Sequence, residues 1–271
     1  MAEMKGRVLI IAGSDSGGGA GIQADIKTVT ALGGFAMTAI TALTAQNTRG
    51  VHGIHDVPAG FVADQMRLVL DDIGADCIKI GMLHRVDIIE TVVSVLAEAA
   101  PGVPVVADPV MIAKGGASLL ADEAEAALRT LLLPAASLIT PNIPEAEVLS
   151  GKHIATVDDM THVAEALLEL GPKAVLLKGG HLQDTETLCD MLVTADSSWA
   201  FEAERIDTPN THGTGCTLAS GIACGIAQQM PLADAVARAQ AYVLEAIRTN
   251  PGFGTGHGPL NHAHTVTDFT A

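Results

Sequence analysis

The sequence has few aromatic residues and few basic residues, and both shortages narrow the range of functions. Aromatic residues make up 3% of the 271 residues, which leaves little surface for stacking nucleobases. The chain has 15 Lys and Arg against 31 Asp and Glu, which gives a formal charge of −16. Nucleic acids and anionic membranes attract basic surfaces, so we expect neither of them as a partner.

Cysteine is also scarce, and its spacing excludes the commonest structural metal sites. The sequence has four cysteines, Cys77, Cys189, Cys216 and Cys224. None of them forms a C-x-x-C pair, which argues against a zinc site. We expect reduced thiols in a cytoplasmic protein, because MAEMKGR at the start shows no secretory pattern. Two charge-free stretches, 28–48 and 208–233, contain glycine or proline interruptions and predict no membrane span.

Apolar residues make up 48% of the chain, and short β-branched runs alternate with longer amphipathic segments. The predicted strands are 7–11, 37–45, 77–80, 103–107, 137–140 and 174–177. The predicted helices are 20–32, 60–72, 86–98, 121–132, 144–150, 157–170, 215–229 and 231–248. Runs 188–193 and 198–203 predict an antiparallel pair at one edge. The alternation predicts a single α/β domain over 1–271, with a mostly parallel central sheet and helices on both faces.

Polar or glycine residues follow every predicted strand. Among them are Asp15, Gln46, Asp108, Asn142 and Lys178. The carboxyl ends of parallel strands share one edge of a sheet, where ligands of open α/β folds bind. We therefore expect these five side chains to line one cleft.

The loop AGSDSGGGAGIQAD (12–25) is rich in glycine and contains GAGIQA, which matches the dinucleotide pattern G-x-G-x-x-A. That pattern also needs an acidic residue after the second strand, where this chain has TAQNTRG. A nicotinamide-dependent oxidoreductase is therefore a disfavoured alternative, which titration with NADH would decide.

The stretch NTHGTGC (210–216) opens the predicted helix 215–229 with small residues and hydroxyls. The first turn of a helix presents unpaired N–H groups and the positive end of the helix dipole. This stretch exceeds what a simple N-cap needs, and we interpret it as an anion site suited to a transferring phosphoryl group.

Seven motifs together resemble the hydroxymethylpyrimidine kinase/phosphomethylpyrimidine kinase family of thiamin biosynthesis. They are AGSDSGGGAGIQADIKT, TALTAQNTRGV, IKIGML, DPVMIAKGG, LITPNIPEAEVL, VLLKGGH and NTHGTGCTLAS. The resemblance implies a ribokinase-like three-layer α/β/α fold and a homodimer. It also implies ATP- and Mg2+-dependent phosphorylation of 4-amino-5-hydroxymethyl-2-methylpyrimidine, first to the monophosphate and then to the diphosphate. It leaves a requirement for K+ open.

The resemblance assigns roles to individual residues. The implied substrate-binding residues are Gln46, Asp25, Ala20, Thr44 and Met82. The implied nucleotide-binding residues are Lys178, Asn142 and Thr211, and the implied metal ligands are Asp108 and Glu145. The implied catalytic group is Gly213, Thr214, Gly215 and Cys216. Residues 211–215 would form the anion hole, and Cys216 would face the reacting oxygen.

A cysteine at the start of a helix has a physical rationale. We predict a lowered pKa for Cys216, so that its thiolate accepts a proton from the alcohol. A thiol that can also stay neutral would repel the phosphate of the second substrate less than a carboxylate would. The alternative is a small buried apolar residue.

Two other functions stay open at this point. A pyridoxine/pyridoxal kinase of the same fold also acts on a hydroxymethyl heteroaromatic, and parallel assays with both substrates would separate the two kinases. A silent binding protein of the same fold is disfavoured by the polar residues at the strand ends. The glycine-rich tail GFGTGHGPL (252–260) is either a mobile flap over the cleft or a static brace.

Overall fold

The computed structural model describes residues 4–111, 123–180 and 187–267. Within these residues the strands form one nine-stranded sheet in the order β3-β2-β1-β4-β5-β6-β7-β8-β9. The strands are β1 (Arg7–Asp15), β2 (Phe35–Asn47), β3 (Gly50–Asp56), β4 (Cys77–Ile80), β5 (Val105–Ala107), β6 (Leu138–Ile139), β7 (Ala174–Leu177), β8 (Thr187–Thr194) and β9 (Ser198–Glu204). The six strands from β2 to β7 in this order are parallel, whereas β3, β8 and β9 run antiparallel to their neighbours.

The helices lie on both faces of the sheet. They are α1 (Gly21–Ala31), α2 (Ala59–Asp72), α3 (Val86–Ala99), α4 (Ala124–Ala127), α5 (Leu133–Ala135), α6 (Ile143–Ser150), α7 (Val157–Leu168), α8 (Thr214–Ala227) and α9 (Leu232–Arg248). Helices α1, α8 and α9 contribute to one apolar core, and α2 to α7 contribute to the other. This arrangement confirms the predicted α/β class and its three layers.

The sequence of β1 shows why the central strands need cover on both sides. Val8 and Ile10 belong to the core beneath α1 and α8, while Leu9 and Ile11 belong to the opposite core, and all four are fully buried. Alternate side chains of a strand point to opposite faces, so an unbroken apolar run is stable only between two layers.

Helix α8 is buried on nearly all sides, which explains its small residues. A β-carbon at Gly221 would lie 2.9 Å from the β-carbon of Ala239 in α9, and one at Gly225 would lie 2.6 Å from that of Ala235. The two helices therefore approach closely along this line.

The structure corrects two of the predicted elements. The predicted strand 37–45 extends to Asn47 and turns back as β3, an antiparallel edge strand that the polar residues of TAQNTRGV concealed. The predicted helix 121–132 is a short helix, α4, followed by a π-helical turn at Leu128–Leu132 and then α5. Part of its predicted span lies outside the described residues, as does His181 of the VLLKGGH motif.

The glycine-rich tail packs as a brace against the loops around the predicted cleft. The His257 N–H donates to the Thr48 carbonyl at 2.8 Å, and the His212 N–H donates to the Gly258 carbonyl at 3.1 Å. A short 3-10 helix at His262–Thr265 then packs on α1 and α9. None of the helices in the described ranges is both long enough and apolar enough to cross a membrane.

Candidate active site

A cleft of about 740 Å3 opens at the carboxyl edge of the parallel strands, facing the start of α8. Asp15, Gln46, Asp108, Asn142 and Lys178 all line it, as the strand-end pattern predicts. The other predicted site residues that line it are Ala20, Thr44, Met82, Glu145, Thr211, Gly213, Thr214, Gly215 and Cys216. Among the predicted site residues, Asp25 alone does not line the cleft.

Helix α8 begins at a glycine that this position requires. Gly213 is the N-cap, with a left-handed φ of 87°. A β-carbon there would overlap the carbonyl oxygen of Gly19 in the glycine-rich loop. Residues other than glycine rarely adopt this φ, and none of them would fit against that carbonyl.

The predicted anion hole has fewer available amides than the sequence implies. The N–H groups of Thr211, His212 and Thr214 donate to carbonyls of the chain itself, at 3.0, 3.1 and 3.4 Å. The backbone hydrogen bonds described for loops and helix ends include none from the N–H groups of Gly213, Gly215 and Cys216. These three amides, at the positive end of the α8 dipole, are the ones that can hold an anion.

A lysine and a carboxylate meet directly at this helix start. Lys178 Nζ lies 2.9 Å from Asp108 Oδ1, and the Thr140 hydroxyl donates to the same oxygen at 2.9 Å. A β-carbon on Gly215 would lie 3.2 Å from Asp108 Oδ2 and 3.3 Å from Lys178 Nζ. Burial opposes the charge on Asp108, but Lys178 and Lys79 offset it and hold the pKa of Asp108 below its ordinary value. Lys178 therefore lies beside the amides as a local positive charge.

Asn142 and Glu145 form a capping box at the start of α6. The Glu145 N–H donates to Asn142 Oδ1 at 2.9 Å, and the Asn142 N–H donates to Glu145 Oε2 at 2.8 Å. Burial raises the pKa of Glu145 to about 7, since the nearby positive charge of Lys178 offsets only part of the cost. The capping role of this pair is thus real, and both side chains also border the cleft.

The carboxylates fit a magnesium site of the kind that nucleotides complete. Mg2+ is usually bound through one or two carboxylates together with substrate phosphates. Asp108 and Glu145 supply such a pair, and both are nearly buried at the cleft wall. No cluster of three or more His, Cys, Asp or Glu able to hold a metal occurs in the described ranges. A metal here would therefore depend on the phosphates for its remaining ligands.

The predicted lowering of the Cys216 pKa is wrong. Burial raises the pKa of this thiol to about 11, reinforced by the charges of Asp25 and Asp108. The Lys79 charge and the Gly21 amide act in the opposite direction but do not compensate for burial. At neutral pH the thiol is protonated, although its place at the start of α8 and in the cleft is as predicted.

Asp25, to which the resemblance assigns substrate binding, does not line the cleft. Asp25 is fully buried in α1, where its Oδ2 lies 2.9 Å from Lys79 Nζ. Its Oδ1 accepts a hydrogen bond from the Ser220 hydroxyl at 2.7 Å. Ser220 lies four residues after Cys216 on α8, hence on the same helix face. Asp25 therefore links α1 to the middle of α8 through Ser220.

Lys79 is a site residue that sequence reasoning missed. It is fully buried, lies at the floor of the cleft and pairs with Asp25. A signal was present, because a lysine inside the apolar strand CIKI has no place in a core without a partner. Asp190, in the middle of LCDMLV on β8, is a similar case. It also lines the cleft and accepts the Gly179 N–H at 2.9 Å.

The side of the cleft near β2, away from Lys178, contains the residues predicted to bind a pyrimidine. The Gln46 amide lies 3.0 Å from Thr44 Oγ1 and 3.3 Å from His212 Nε2. His212 Nε2 also lies 2.9 Å from Asp15 Oδ2, so a histidine without a predicted catalytic role joins two loops of the site. Ala20 and Met82 complete this wall.

The same chain organisation occurs in proteins of known function. A family model for phosphomethylpyrimidine kinase matches residues 15–261. The chain belongs to the phosphomethylpyrimidine kinase family. It is 46% identical over 255 residues to the hydroxymethylpyrimidine/phosphomethylpyrimidine kinase of Streptomyces coelicolor, covering 94% of this chain and 93% of that protein. It is also 51% identical over 264 residues to the thiamine biosynthesis bifunctional protein ThiED of Geobacter sulfurreducens, covering 97% of this chain and 54% of that longer protein.

Solved structures confirm the ribokinase-like fold of the family. The phosphomethylpyrimidine kinase of Clostridium difficile superposes with a TM-score of 0.80 at 44% identity, covering 90% of this chain and all of that one. An ADP complex of Bacillus subtilis pyridoxal kinase superposes with a TM-score of 0.87 at 36% identity, covering 96% of this chain and 98% of that one. Membership of a kinase family leaves the oxidoreductase and the silent binding protein without support.

Proposed function

We propose that this chain transfers the γ-phosphoryl group of ATP first to the hydroxyl of 4-amino-5-hydroxymethyl-2-methylpyrimidine and then to the phosphate of the product. The family assignment makes it a hydroxymethylpyrimidine/phosphomethylpyrimidine kinase. The observation that supports the chemistry best is the meeting of Lys178, Asp108 and Gly215 at the start of α8, beside Cys216. A cation, a carboxylate and free amides are there concentrated around one point of the cleft.

The two ends of the cleft suggest where each substrate binds. Gln46, Thr44, Ala20 and Met82 form the wall proposed for the pyrimidine. Lys178 and Asn142 follow β7 and β6, farther along the sheet from Gln46 in β2, and are proposed for the nucleotide. Mg2+ held by Asp108 and Glu145 would neutralise charge on the nucleotide phosphates. The amides of Gly213, Gly215 and Cys216 would hold the oxygens of the group in transfer, where negative charge is greatest.

The protonated thiol of Cys216 changes the expected mechanism. Phosphoryl transfer through a loose transition state depends mainly on positioning and electrostatics and needs little help from a base. We therefore assign to Cys216 the role of a neutral neighbour of the acceptor oxygen, which adds no negative charge. This suits the second step, in which the acceptor is itself an anionic phosphate.

Replacement of Cys216 tests this assignment. In Cys216→Asp we expect the second phosphorylation to slow by at least about tenfold, because like charges close together in a low-dielectric site repel strongly. The first step should be slowed less. Cys216→Ala, which also places no charge beside the acceptor, should change the two steps by a similar and small factor, and Cys224→Ala, at a buried position on the same helix, is the matched control. Each step is followed by mass spectrometry of the product with ATP and Mg2+.

Two outcomes would contradict the assignment to Cys216. They are a large loss confined to the first step in Cys216→Ala, which would indicate that the thiol acts as a base, and an undiminished second step for Cys216→Asp. The same assay with pyridoxal in place of the pyrimidine tests the alternative kinase of this fold, and faster turnover of pyridoxal would favour it. The cytoplasmic location, the homodimer, the need for Mg2+ and any effect of K+ stay predictions from the family resemblance.

A further inference from the structure

His212 lies between the two loops that enclose the proposed pyrimidine end of the cleft. Its Nε2 is 2.9 Å from Asp15 Oδ2 and 3.3 Å from Gln46 Nε2. Its ring packs where a β-carbon of Gly19 would be, 2.5 Å from Cδ2, and its side chain is only 12% exposed. The ring is therefore held in place by packing and by hydrogen bonding.

The charge of Asp15 decides which His212 nitrogen carries a proton. Asp15 Oδ1 accepts the Gly17 N–H at 2.8 Å, and Oδ2 accepts the N–H groups of Gly19 and Ala20 at 3.0 and 2.8 Å. Burial disfavours the ionised form, but the bonds from His212 and from these amides lower the pKa of Asp15. A carboxylate can only accept hydrogen bonds, so His212 Nε2 must donate.

The hydroxyl of Thr44 also limits which atom of the Gln46 amide can face it. Thr44 Oγ1 lies 2.9 Å from the Ser14 carbonyl, which can only accept, so the hydroxyl proton points there. A second polar neighbour of Thr44 Oγ1 is the Gln46 amide, whose Oε1 is placed toward it at 3.0 Å. Toward this amide Thr44 can only accept, so a Gln46 N–H must face it.

Both neighbours therefore require the same orientation of the Gln46 amide. An NH2 group facing His212 would place two donors against each other, whereas a carbonyl oxygen there can share the single Nε2–H proton with Asp15 Oδ2 in a three-centre hydrogen bond. Rotation of the amide by a half turn exchanges its oxygen and nitrogen and satisfies Thr44 and His212 together. The resulting chain of donors runs from His212 to the Gln46 carbonyl, and from the Gln46 NH2 through Thr44 to Ser14.

We propose that His212, anchored by Asp15, fixes the Gln46 amide with its carbonyl toward His212 and its NH2 toward Thr44, and so sets the direction in which the pyrimidine binds. This inference rests on the proposed function, in which Gln46 recognises the pyrimidine. A 4-aminopyrimidine presents an amino donor beside a ring-nitrogen acceptor, and an amide of fixed orientation pairs with that edge in one direction only. The 5-hydroxymethyl group neighbours the amino group, so the amide also decides on which side of the ring the acceptor hydroxyl lies. His212 is thus a positioning residue for specificity.

A double-mutant cycle between His212 and Gln46 tests whether the two residues act as one unit. His212→Ala should raise KM for the aminopyrimidine and lower kcat/KM about tenfold, the effect of one lost oriented hydrogen bond. In a Gln46→Ala background the same change should cost about twofold or less, because coupled residues are not additive. KM for ATP should change little. His212→Gln, whose Nε2 can occupy the position of the imidazole Nε2, should restore most of the activity.

Folding and recognition can be separated in the same experiment. Asp15 keeps its three amide donors in His212→Ala, so the variant should fold, which circular dichroism would verify. A substrate that lacks the 4-amino group provides the second readout. Wild type should prefer the amino substrate, and His212→Ala should lose about tenfold of that preference.

The possible outcomes distinguish the inference from the function on which it rests. A wild type that does not phosphorylate the aminopyrimidine would contradict the proposed function. An active wild type with losses that multiply in the cycle, or a His212→Ala variant with full preference for the amino substrate, would overturn the inference alone. Long-range 1H–15N spectra, assigned with His212→Gln, should show a proton on His212 Nε2, and an unprotonated Nε2 would also overturn it.

Discussion

The buried ion pair between Lys79 and Asp25 offers the sharpest test of how the site is supported. Both side chains have no exposed surface, and their charged atoms lie 2.9 Å apart. Lys79→Met removes the cation and leaves the Asp25 carboxylate buried with, among the described residues, the Ser220 hydroxyl as its partner. Breaking such a pair from one side typically costs about 3–5 kcal/mol, because the remaining charge is uncompensated. That is a large part of a total stability of about 5–15 kcal/mol.

Removing both charges should restore most of the loss. In Lys79→Met/Asp25→Asn no charge is left unpaired, and replacing both partners of a buried pair is often close to neutral. We expect a free energy of unfolding in urea well above that of Lys79→Met alone. Arg67→Met provides the control, because Arg67 pairs with Glu98 at the surface, where both side chains are about half exposed. It should change the unfolding curve little.

Lys79→Met and Asp25→Asn, each made alone, should shift the reactivity of Cys216 in opposite directions. Lys79 lowers the pKa of this thiol and Asp25 raises it, alongside a further negative charge at Asp108. Lys79→Met should therefore slow the alkylation of Cys216 by iodoacetamide at a pH of about 8 to 9, close to the ordinary pKa of a cysteine. Asp25→Asn should accelerate it, and Cys216→Ala identifies the background. Shifts of the same sign in both variants, or a double variant as unstable as Lys79→Met, would refute this reasoning.

Two further predictions concern the helix start and the tail. Gly213→Ala should destabilise the chain and reduce turnover, because its β-carbon would overlap the Gly19 carbonyl at a left-handed φ of 87°. Gly252→Ala, at a φ of 68° with open space around it, should cost only about 1 kcal/mol in urea unfolding; equal losses would contradict the importance of the contact with Gly19. Burial lowers the pKa of His262 to about 4 from an ordinary 6.5, so the unfolded chain binds more protons between these values. Stability should therefore fall by up to about 3 kcal/mol as the pH drops through this window. His262→Gln should flatten that part of the curve, and an unchanged slope would show that other groups titrate there.

The strand ends illustrate what can be predicted from a pattern. Asp108, Asn142 and Lys178 follow separate strands, and parallel strands bring their carboxyl ends to one edge, so their meeting follows from topology alone. Gln46 reached the same cleft for a different reason, since it lies inside β2 near the hairpin to β3. The pattern therefore predicted correctly that Gln46 lines the cleft, but Gln46 lies within β2 and not after its end.

The pKa of Cys216 and the burial of Asp25 escaped prediction for a common physical reason. The pKa of Cys216 and the position of Asp25 depend on burial and on partners far away in the chain, 54 residues in the case of Lys79 and Asp25. A position at a helix start favours a lowered thiol pKa, but here desolvation outweighs the opposing effects of Lys79 and the Gly21 amide. No local pattern contains that information.

The sequence by itself determined the class of the fold, the edge of the sheet at which the site lies, and the family. These follow from alternating apolar periods and from short motifs, which are properties of neighbouring residues. Only the tertiary structure decided which amides at 211–216 remain available, that Asp25 lies beneath the site, and that His212 joins Asp15 to Gln46. Those outcomes depend on which donors and acceptors meet across the folded chain, and on how much water is excluded where they meet.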